Sequence, residues 1–222
     1  MSGDEPTGFL YPFIEAEERD AGALLTDLAA SARGKIAESG RLQAATLAAR
    51  TDQLSALATD LVARFAAGGR LFTFGNGGSA TDAEMTADLF RHPHAGRPLP
   101  ASSLVDDRAV LTALANDVGV ELVFSRQLIA HGRAGDVAMG FSTSGGSVNV
   151  LRAFAEARTR GLLTVGLAGY GGGAMAASDD VEHCLMVGSD SVHRIQEAQA
   201  VLVYALWSLV QDRLALENEG TR

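Results

Sequence analysis

The spacing of apolar residues from Thr51 onward predicts helices that alternate with short buried strands. One helix face is marked by apolar residues at three- and four-residue steps, namely Leu54, Leu57, Leu61 and Phe65. The glycine pair Gly68-Gly69 follows and predicts the end of this helix. The run Leu71 to Phe74 then has the length and composition of a buried strand.

The rest of the chain repeats this alternation. Apolar runs predict strands at Ser102 to Val105, Asp136 to Phe141, Leu162 to Leu167 and Val181 to Val187. Helical periodicity predicts helices at Asp82 to Phe90, Asp107 to Leu114, Val120 to Ala130, Ser147 to Arg160 and Val192 to Leu216. Strands that alternate with helices are typical of βαβ units, so the pattern predicts an α/β fold with a mostly parallel sheet.

The two ends of the chain are predicted to be helical. Thr7 to Arg50 has helix-like, Ala-rich repeats with a turn near Ser39-Gly40, which predicts a helical hairpin. We expect an N-terminal helical extension over residues 1–35, followed by the main domain over residues 36–222. The last helix is apolar on more than one face around Ala198 to Leu209, which indicates either a subunit contact or a fully buried core helix.

The composition and net charge of the chain make some classes of function less favourable than others. The 222 residues suit one α/β domain, and 27 acidic against 18 basic residues give a net charge of -9, which disfavours nucleic acid as a direct partner. The single cysteine, Cys184, cannot form an internal disulfide. The acidic N-terminus does not resemble a signal peptide, and no apolar run is long enough to cross a membrane. We therefore expect a cytoplasmic protein with no membrane contact.

Two loops at strand ends carry the candidate chemistry. Ser142, Thr143, Ser144 and Ser147 surround Gly145-Gly146 between a predicted strand and a predicted helix. Hydroxyl groups, exposed backbone N–H groups and a helix N-terminus can together bind a phosphate without a lysine. The alternative is a flexible turn in which Ser147 is an N-cap.

The second loop, Gly75 to Ser79, has the same position after the first strand. Because ligands of open α/β sheets bind beyond the carboxyl ends of the strands, both loops are expected to face one crevice. There Asn76 can hydrogen-bond a sugar hydroxyl, or it can simply occupy a left-handed turn. Neither loop spells a Walker A motif or the dinucleotide fingerprint G-x-G-x-x-G.

Five motifs, in order, resemble the sugar isomerase (SIS) domain of the phosphoheptose isomerase family. They are LFTFGNGGSATDAEMTADLF, ALANDVGVELVFSRQ, GDVAMGFSTSGGSVNV, GYGGGAMAASDDVEH and HRIQEAQ, within a stretch from about Leu54 to Arg213. The resemblance implies a three-layer αβα SIS domain, a homotetramer, and binding of sedoheptulose 7-phosphate or a similar sugar phosphate. The substrate-binding residues it implies are Asn76, Gly77, Ser79, Asp117, Ser142, Thr143, Ser144, Ser147 and Gln196.

The family's catalytic positions are replaced in this chain. The family has a histidine and, four residues later, a glutamate on the helix after Gly-Asn-Gly-Gly-Ser, and a second histidine on the last helix. Here these positions are Met85, Leu89 and Tyr204. Aldose–ketose isomerisation through an enediol needs a base, which methionine and leucine cannot supply. The resemblance also implies a zinc ion, but most of its ligand positions are these replaced ones, so no metal residues are assigned.

Three functions stay open at this point. The first is a sugar-phosphate-binding protein that has lost or rearranged the isomerase chemistry. The second is an active sugar-phosphate isomerase with a relocated acid/base set, for which Glu84, Asp88 and His193 are the candidate catalytic residues. The third is a non-catalytic tetrameric scaffold with a protein partner, similar to the SIS branch that binds the bacterial replication initiator.

Overall fold

The computed structural model describes residues 21–220 and the side chains of residues 22–216. The strands are β1 (Leu71–Gly75), β2 (Ala101–Ser103), β3 (Val137–Ser142), β4 (Leu163–Ala168) and β5 (His183–Met186). The helices are α1 (Ala21–Ala66), α2 (Gly78–Arg91), α3 (Arg108–Asp117), α4 (Val123–His131), α5 (Val148–Thr159), α6 (Gly173–Ala176) and α7 (Val192–Gly220), with a short 3-10 helix at Val120–Leu122.

The strands form one parallel sheet in the order β2-β1-β3-β4-β5. The central strands β1, β3 and β4 are buried at every residue, as expected where helices cover both faces of a parallel sheet. The predicted α/β class with a parallel sheet is confirmed. Because all strands run in one direction, their carboxyl ends lie at one edge, where the two Gly-rich loops begin.

Two hydrophobic clusters cover the two faces of the sheet and make three layers. On one face, Val137, Met139 and Phe141 of β3 pack in a cluster with residues of α1, α2 and α7. On the other face, Phe72 and Phe74 of β1 belong to a cluster with residues of α4, α5 and α6. Side chains alternate between the faces along each strand, so the two clusters draw on alternate positions. The predicted three-layer αβα arrangement is confirmed.

The N-terminal part of the chain differs from the prediction. The chain divides into two units, one up to Gly40 and one from Arg41 onward. The predicted hairpin with a turn at Ser39-Gly40 is wrong, because α1 continues as a helix through both residues. One glycine costs a helix only about 1 kcal/mol, and the surrounding alanine, leucine, lysine and glutamate residues are good helix formers.

The described residues of the first unit, 22–40, are almost all exposed. Residues 1–20 of the predicted extension lie outside the described residues. The boundary between residues 35 and 36 stays a prediction.

The last helix packs mainly into the hydrophobic core of its own chain. Its apolar residues in the core are Ile195, Ala198, Leu202, Val203, Leu206, Trp207, Val210 and Leu214. A buried core helix therefore accounts for most of the apolar character of α7, and a subunit contact stays a prediction. Across residues 21–220, no helix combines the length and apolar character that a membrane span requires.

A buried carboxylate connects the amino ends of the central strands. Asp136, just before β3, is fully buried and accepts hydrogen bonds from the backbone N–H groups of Arg70 (2.9 Å) and Arg133 (3.1 Å). The Arg70 guanidinium forms an ion pair with it at 2.8 Å. The Asp136 carbonyl also accepts a hydrogen bond from the N–H of Leu163, at the start of β4. One residue thus aligns β1, β3 and β4.

We expect Asp136→Ala to reduce the free energy of unfolding by roughly 2–5 kcal/mol, because buried N–H donors left without an acceptor cost about 1–3 kcal/mol each. Urea denaturation measures the change. The matched control is Asp52→Ala, at an exposed position of α1, for which we expect a change within about 0.5 kcal/mol. Equal effects of the two substitutions would contradict the role assigned to Asp136.

Candidate functional site

The parallel pairing of β1 with β3 brings the two predicted loops together. Gly75 at the end of β1 is in register with Phe141 near the end of β3. The loops are then joined by a pair of side-chain amides. Asn76 Nδ2 donates to Asn149 Oδ1 at 2.8 Å, and Asn149 Nδ2 donates to Asn76 Oδ1 at 2.9 Å. The expectation that both loops face one crevice agrees with this geometry.

The hydroxyl-bearing loop has a defined internal structure. The Oγ atoms of Ser142 and Ser147 are 2.9 Å apart, and the Gly146 N–H donates to Ser144 Oγ at 3.2 Å. Ser142 is buried and Ser144 is exposed. Ser147 is the N-cap residue of α5, but its side chain does not cap the helix. The N–H groups of Val148 and Asn149 therefore stay available for an anion, whereas the Val150 N–H donates to Asn149 Oδ1 at 3.0 Å.

A third loop, residues 169–172, and helix α6, which follows it, hold the backbone of the hydroxyl-bearing loop. The Gly169 N–H donates to the Thr143 carbonyl at 2.9 Å, and the Met175 N–H donates to the Gly145 carbonyl at 2.8 Å. Gly145 has a φ of 64°, and a methyl group added there would collide with the carbonyl of Gly172. These contacts hold the backbone in one conformation before any ligand arrives.

Two adjoining cavities open beside these loops. One, of about 410 Å³, is lined by Gly77, Glu84 and Arg108 among others. The other, of about 330 Å³, is lined by Ser147 and Glu121 among others. Both are also lined by Asn76, Asn149 and Val120, so they meet at the amide pair. Space for a ligand therefore extends from the hydroxyl-bearing loop along the first loop.

The remaining predicted binding residues lie around this centre. Ser79 is buried in the first turn of α2. Gln196, in the first turns of α7, lies against Gly78 and donates from Nε2 to Asp82 Oδ2 at 2.9 Å. Asp117 is exposed at the end of α3 and accepts a hydrogen bond from Asn116, outside both cavities.

The three candidate catalytic residues lie in different surroundings. Glu84 lines the cavity of about 410 Å³. Asp88 lies outside that cavity, 2.8 Å from the Nδ1 atom of His92, and this hydrogen bond lowers the pKa of Asp88. His193 is exposed in the first turn of α7 and also lies outside that cavity. A lowered pKa makes the Asp88 carboxylate a weaker general base, since a catalytic base works best with a pKa closer to neutral pH.

The replaced family positions lie together. Met85 and Leu89 on α2 and Tyr204 on α7 line one cavity of about 220 Å³ between these helices. Asp82, one turn before Met85, lines the same cavity. Burial raises the pKa of Asp82, and the hydrogen bond from Gln196 partly opposes the rise. The fold thus places the three family positions next to one another, but the side chains that occupy them are largely apolar.

The residues of this cavity do not fit a zinc ion. Zinc sites in proteins use sulfur, imidazole or carboxylate ligands. The replaced positions offer a thioether, an alkyl group and a phenol instead. Within residues 21–220, no three His, Cys, Asp or Glu side chains gather into a metal-binding group.

Two residues of the site were missed by the sequence interpretation. Asn149 lies two residues after Ser147, but its pairing with Asn76 depends on strands that are far apart in sequence. The place of Asp82 in the site could have been inferred from the sequence, because Asp82, Met85 and Leu89 follow helical spacing and so share one face of α2.

Comparisons with known proteins agree with the motifs. Residues 36–169 match the model of the SIS domain family. The chain is 44% identical over 179 residues to a phosphoheptose isomerase of Paramagnetospirillum magneticum, covering 80% of this chain and 92% of that protein. It is 43% identical over 156 residues to the Rhodospirillum rubrum phosphoheptose isomerase, covering 69% of this chain and 82% of that one.

Comparison with solved structures also finds phosphoheptose isomerases. Phosphoheptose isomerase GmhA from Neisseria gonorrhoeae superposes with a TM-score of 0.77 at 34% identity, covering 83% of this chain and 99% of that chain. A phosphoheptose isomerase from Francisella tularensis has a TM-score of 0.77 at 28% identity, covering 82% of this chain and 97% of that chain. The parallel sheet, the order of the motifs and these matches together show that the chain belongs to the SIS domain family and, within it, to the phosphoheptose isomerase family.

Proposed function

We propose that this protein binds a sugar phosphate, sedoheptulose 7-phosphate or a similar one, and that it does so without the family's isomerase chemistry. The proposal that the protein binds a sugar phosphate rests on one observation. The hydroxyl groups of Ser142 and Ser147 meet at the N-terminus of α5, which the Ser147 side chain does not cap. The backbone of this loop is held by hydrogen bonds to the carbonyls of Thr143 and Gly145. Such an arrangement offers several hydrogen-bond donors to a tetrahedral anion.

Electrostatics favour the phosphate at this place in spite of the acidic chain. The loop contains no lysine or arginine, so attraction comes from N–H groups, hydroxyl groups and the helix dipole. Glu121 lines the adjoining cavity, but Arg152 pairs with its carboxylate at 2.8 Å. This ion pair reduces the repulsion that Glu121 would exert on a bound anion.

The sugar part extends along the first loop in this proposal. Asn76 and Gly77 line the cavity that adjoins the phosphate loop, and the Asn76 amide oxygen and nitrogen are aligned by Asn149. Ser79, Asp117 and Gln196 are proposed substrate contacts on the family resemblance. The relatives are phosphoheptose isomerases by name, which supports a heptose phosphate as the first ligand to test.

Loss of isomerase chemistry follows from the groups that the reaction needs. A proton must move between adjacent carbons, which requires a base within hydrogen-bond reach of the substrate. At the family's catalytic positions the side chains are Met85, Leu89 and Tyr204, and the first two cannot accept a proton. The relocated set of Glu84, Asp88 and His193 is the competing proposal, and the turnover measurement below decides between them.

We also propose that the protein is a cytoplasmic homotetramer. A groove of about 300 Å³ between α1 and α7 is lined by Leu47, Leu54, Ala205 and Leu209 among others. Leu47, Ala205 and Leu209 are only partly buried within one chain. An apolar groove of this kind is compatible with a subunit contact.

We expect sedoheptulose 7-phosphate to bind the wild-type protein in isothermal titration calorimetry. Ser147→Ala should weaken binding roughly 10- to 150-fold, because a hydrogen bond to a charged group contributes about 1.5–3 kcal/mol. The control is Ser102→Ala, at an exposed position of β2 that lines none of the described cavities, which should leave the affinity unchanged. Absence of binding for pentose, hexose and heptose phosphates alike would refute the binding proposal.

We expect no isomerisation of sedoheptulose 7-phosphate by the wild-type protein, because the cavity lacks the family's bases. Conversion is followed by NMR of the sugar phosphate at enzyme concentrations that allow slow turnover to be seen. Turnover that Glu84→Gln abolishes, with sugar-phosphate affinity retained, would support the relocated acid/base set and overturn the second half of the proposal. The matched control is Asp107→Asn, which removes the charge of the carboxylate that caps α3.

A further inference from the structure

Arg108 is a charged residue of the ligand cavities to which the proposed function gives no role. It is the first residue of α3 and lines the cavity of about 410 Å³. Its guanidinium makes no hydrogen bond or ion pair within residues 21–220. Arg152, by contrast, is paired at 2.8 Å with Glu121 of the adjoining cavity. Arg108 is therefore a cation at the cavity wall that is free to bind a ligand.

The way α3 begins fixes the backbone of Arg108 beside the cavity. Asp107 caps the helix, because its Oδ1 atom accepts hydrogen bonds from the N–H groups of Ala109 at 2.9 Å and Val110 at 3.1 Å. The Thr112 hydroxyl donates to the Arg108 carbonyl at 2.8 Å. One face of α3 lines the cavity through side chains at helical spacing, namely Arg108, Leu111, Thr112 and Ala115.

The acidic groups near Arg108 do not neutralise it. Glu84, on α2, lines the same cavity, but no ion pair joins it to Arg108 in the described part of the chain. Asp106 pairs instead with Arg91 at 3.9 Å, and the Asp107 carboxylate is used by the helix cap. The guanidinium keeps its N–H donors, whereas Glu84 repels an anion from its own wall. An anionic group in this cavity is therefore expected at Arg108.

The cavity of Arg108 adjoins the one at the phosphate-binding loop. Asn76 and Asn149 line both cavities, and Ser147 lines the second one. A ligand whose phosphate is bound at Ser147 can extend past the amide pair towards Arg108. The remaining wall of the larger cavity includes buried apolar side chains, those of Val105, Val123 and Phe124. Arg108 is therefore the cation that the far end of such a ligand meets.

We propose that Arg108 binds a second anionic group of the ligand, a phosphate or a carboxylate, at the end remote from the phosphate held at the start of α5. This inference rests on the proposed function, because it extends the ligand from the same loop. A guanidinium presents parallel N–H donors that match two oxygens of either anion. The ligand class is then a sugar phosphate with a negative charge at both ends, a sugar bisphosphate or a phosphorylated sugar acid.

The test measures binding of two matched pairs of compounds to the full chain by isothermal titration calorimetry. Sedoheptulose 7-phosphate is compared with sedoheptulose 1,7-bisphosphate, and glucose 6-phosphate with 6-phosphogluconate. In at least one pair we expect the doubly charged compound to bind roughly three- to tenfold more tightly, since Arg108 is exposed and solvent weakens the contact. The first pair reports a second phosphate and the second pair a carboxylate, so the result identifies the anion.

Charge variants test whether Arg108 is responsible. Arg108→Gln should abolish the gain in affinity and change the affinity for sedoheptulose 7-phosphate by no more than about twofold, because the phosphate loop is intact. Arg108→Lys should keep part of the gain, since it keeps the charge and loses the paired donors. Glu84→Gln should strengthen binding of the doubly charged compound, because it removes a repulsion. The matched control is Arg126→Gln, at an exposed position of α4 that lines neither cavity.

Two results would contradict the role of Arg108. The role is wrong if neither doubly charged compound binds more tightly than its singly charged counterpart, or if Arg108→Gln keeps the gain that the wild type shows. Either result can occur while sedoheptulose 7-phosphate still binds and Ser147→Ala still weakens it, and then the proposed function stands without this inference. If none of the four compounds binds, both proposals fail.

Discussion

The parallel pairing of β1 with β3 is the constraint on which the site depends. At the amino ends of the strands, the buried Asp136 carboxylate binds backbone and side-chain donors of Arg70 and aligns the two strands. At the carboxyl ends, the reciprocal amide bonds of Asn76 and Asn149 join the loops that follow them. Polar contacts at both ends of the strands thus add directional constraints to those of the apolar core between them.

The proposed anion site relies on geometry in place of formal charge. A chain with a net charge of -9 concentrates hydroxyl and N–H donors at the start of α5. Hydrogen bonds from Gly169 and from Met175 of α6 to the carbonyls of Thr143 and Gly145 hold the backbone of this loop in position. Because the backbone is ordered before binding, less conformational entropy is lost when a ligand arrives. Glycine at position 145 is required by both its positive φ and the close approach of Gly172.

The same fold can support a different chemistry when a few side chains change together. Met85, Leu89 and Tyr204 meet in one cavity. They stand where the family has bases and metal ligands, and they make the cavity largely apolar. Asp82 stays as a carboxylate whose pKa is raised by burial. Residues 142–147 do not line this cavity, so the side chains at positions 85, 89 and 204 can differ from the family's while the hydroxyl and N–H donors of the loop stay in place.

The sequence alone determined the alternation of strands and helices, the α/β class and the two loops, because these depend on local periodicity and on glycine and serine at strand ends. The motifs also identified the family. Tertiary structure decided the rest. Position 40 is helical because its neighbours outweigh one glycine. The pairing of Asn76 with Asn149, and the meeting of Asp82 with Tyr204 in one cavity, join residues far apart in the chain. Such contacts follow from how the layers pack, and local patterns carry no information about them.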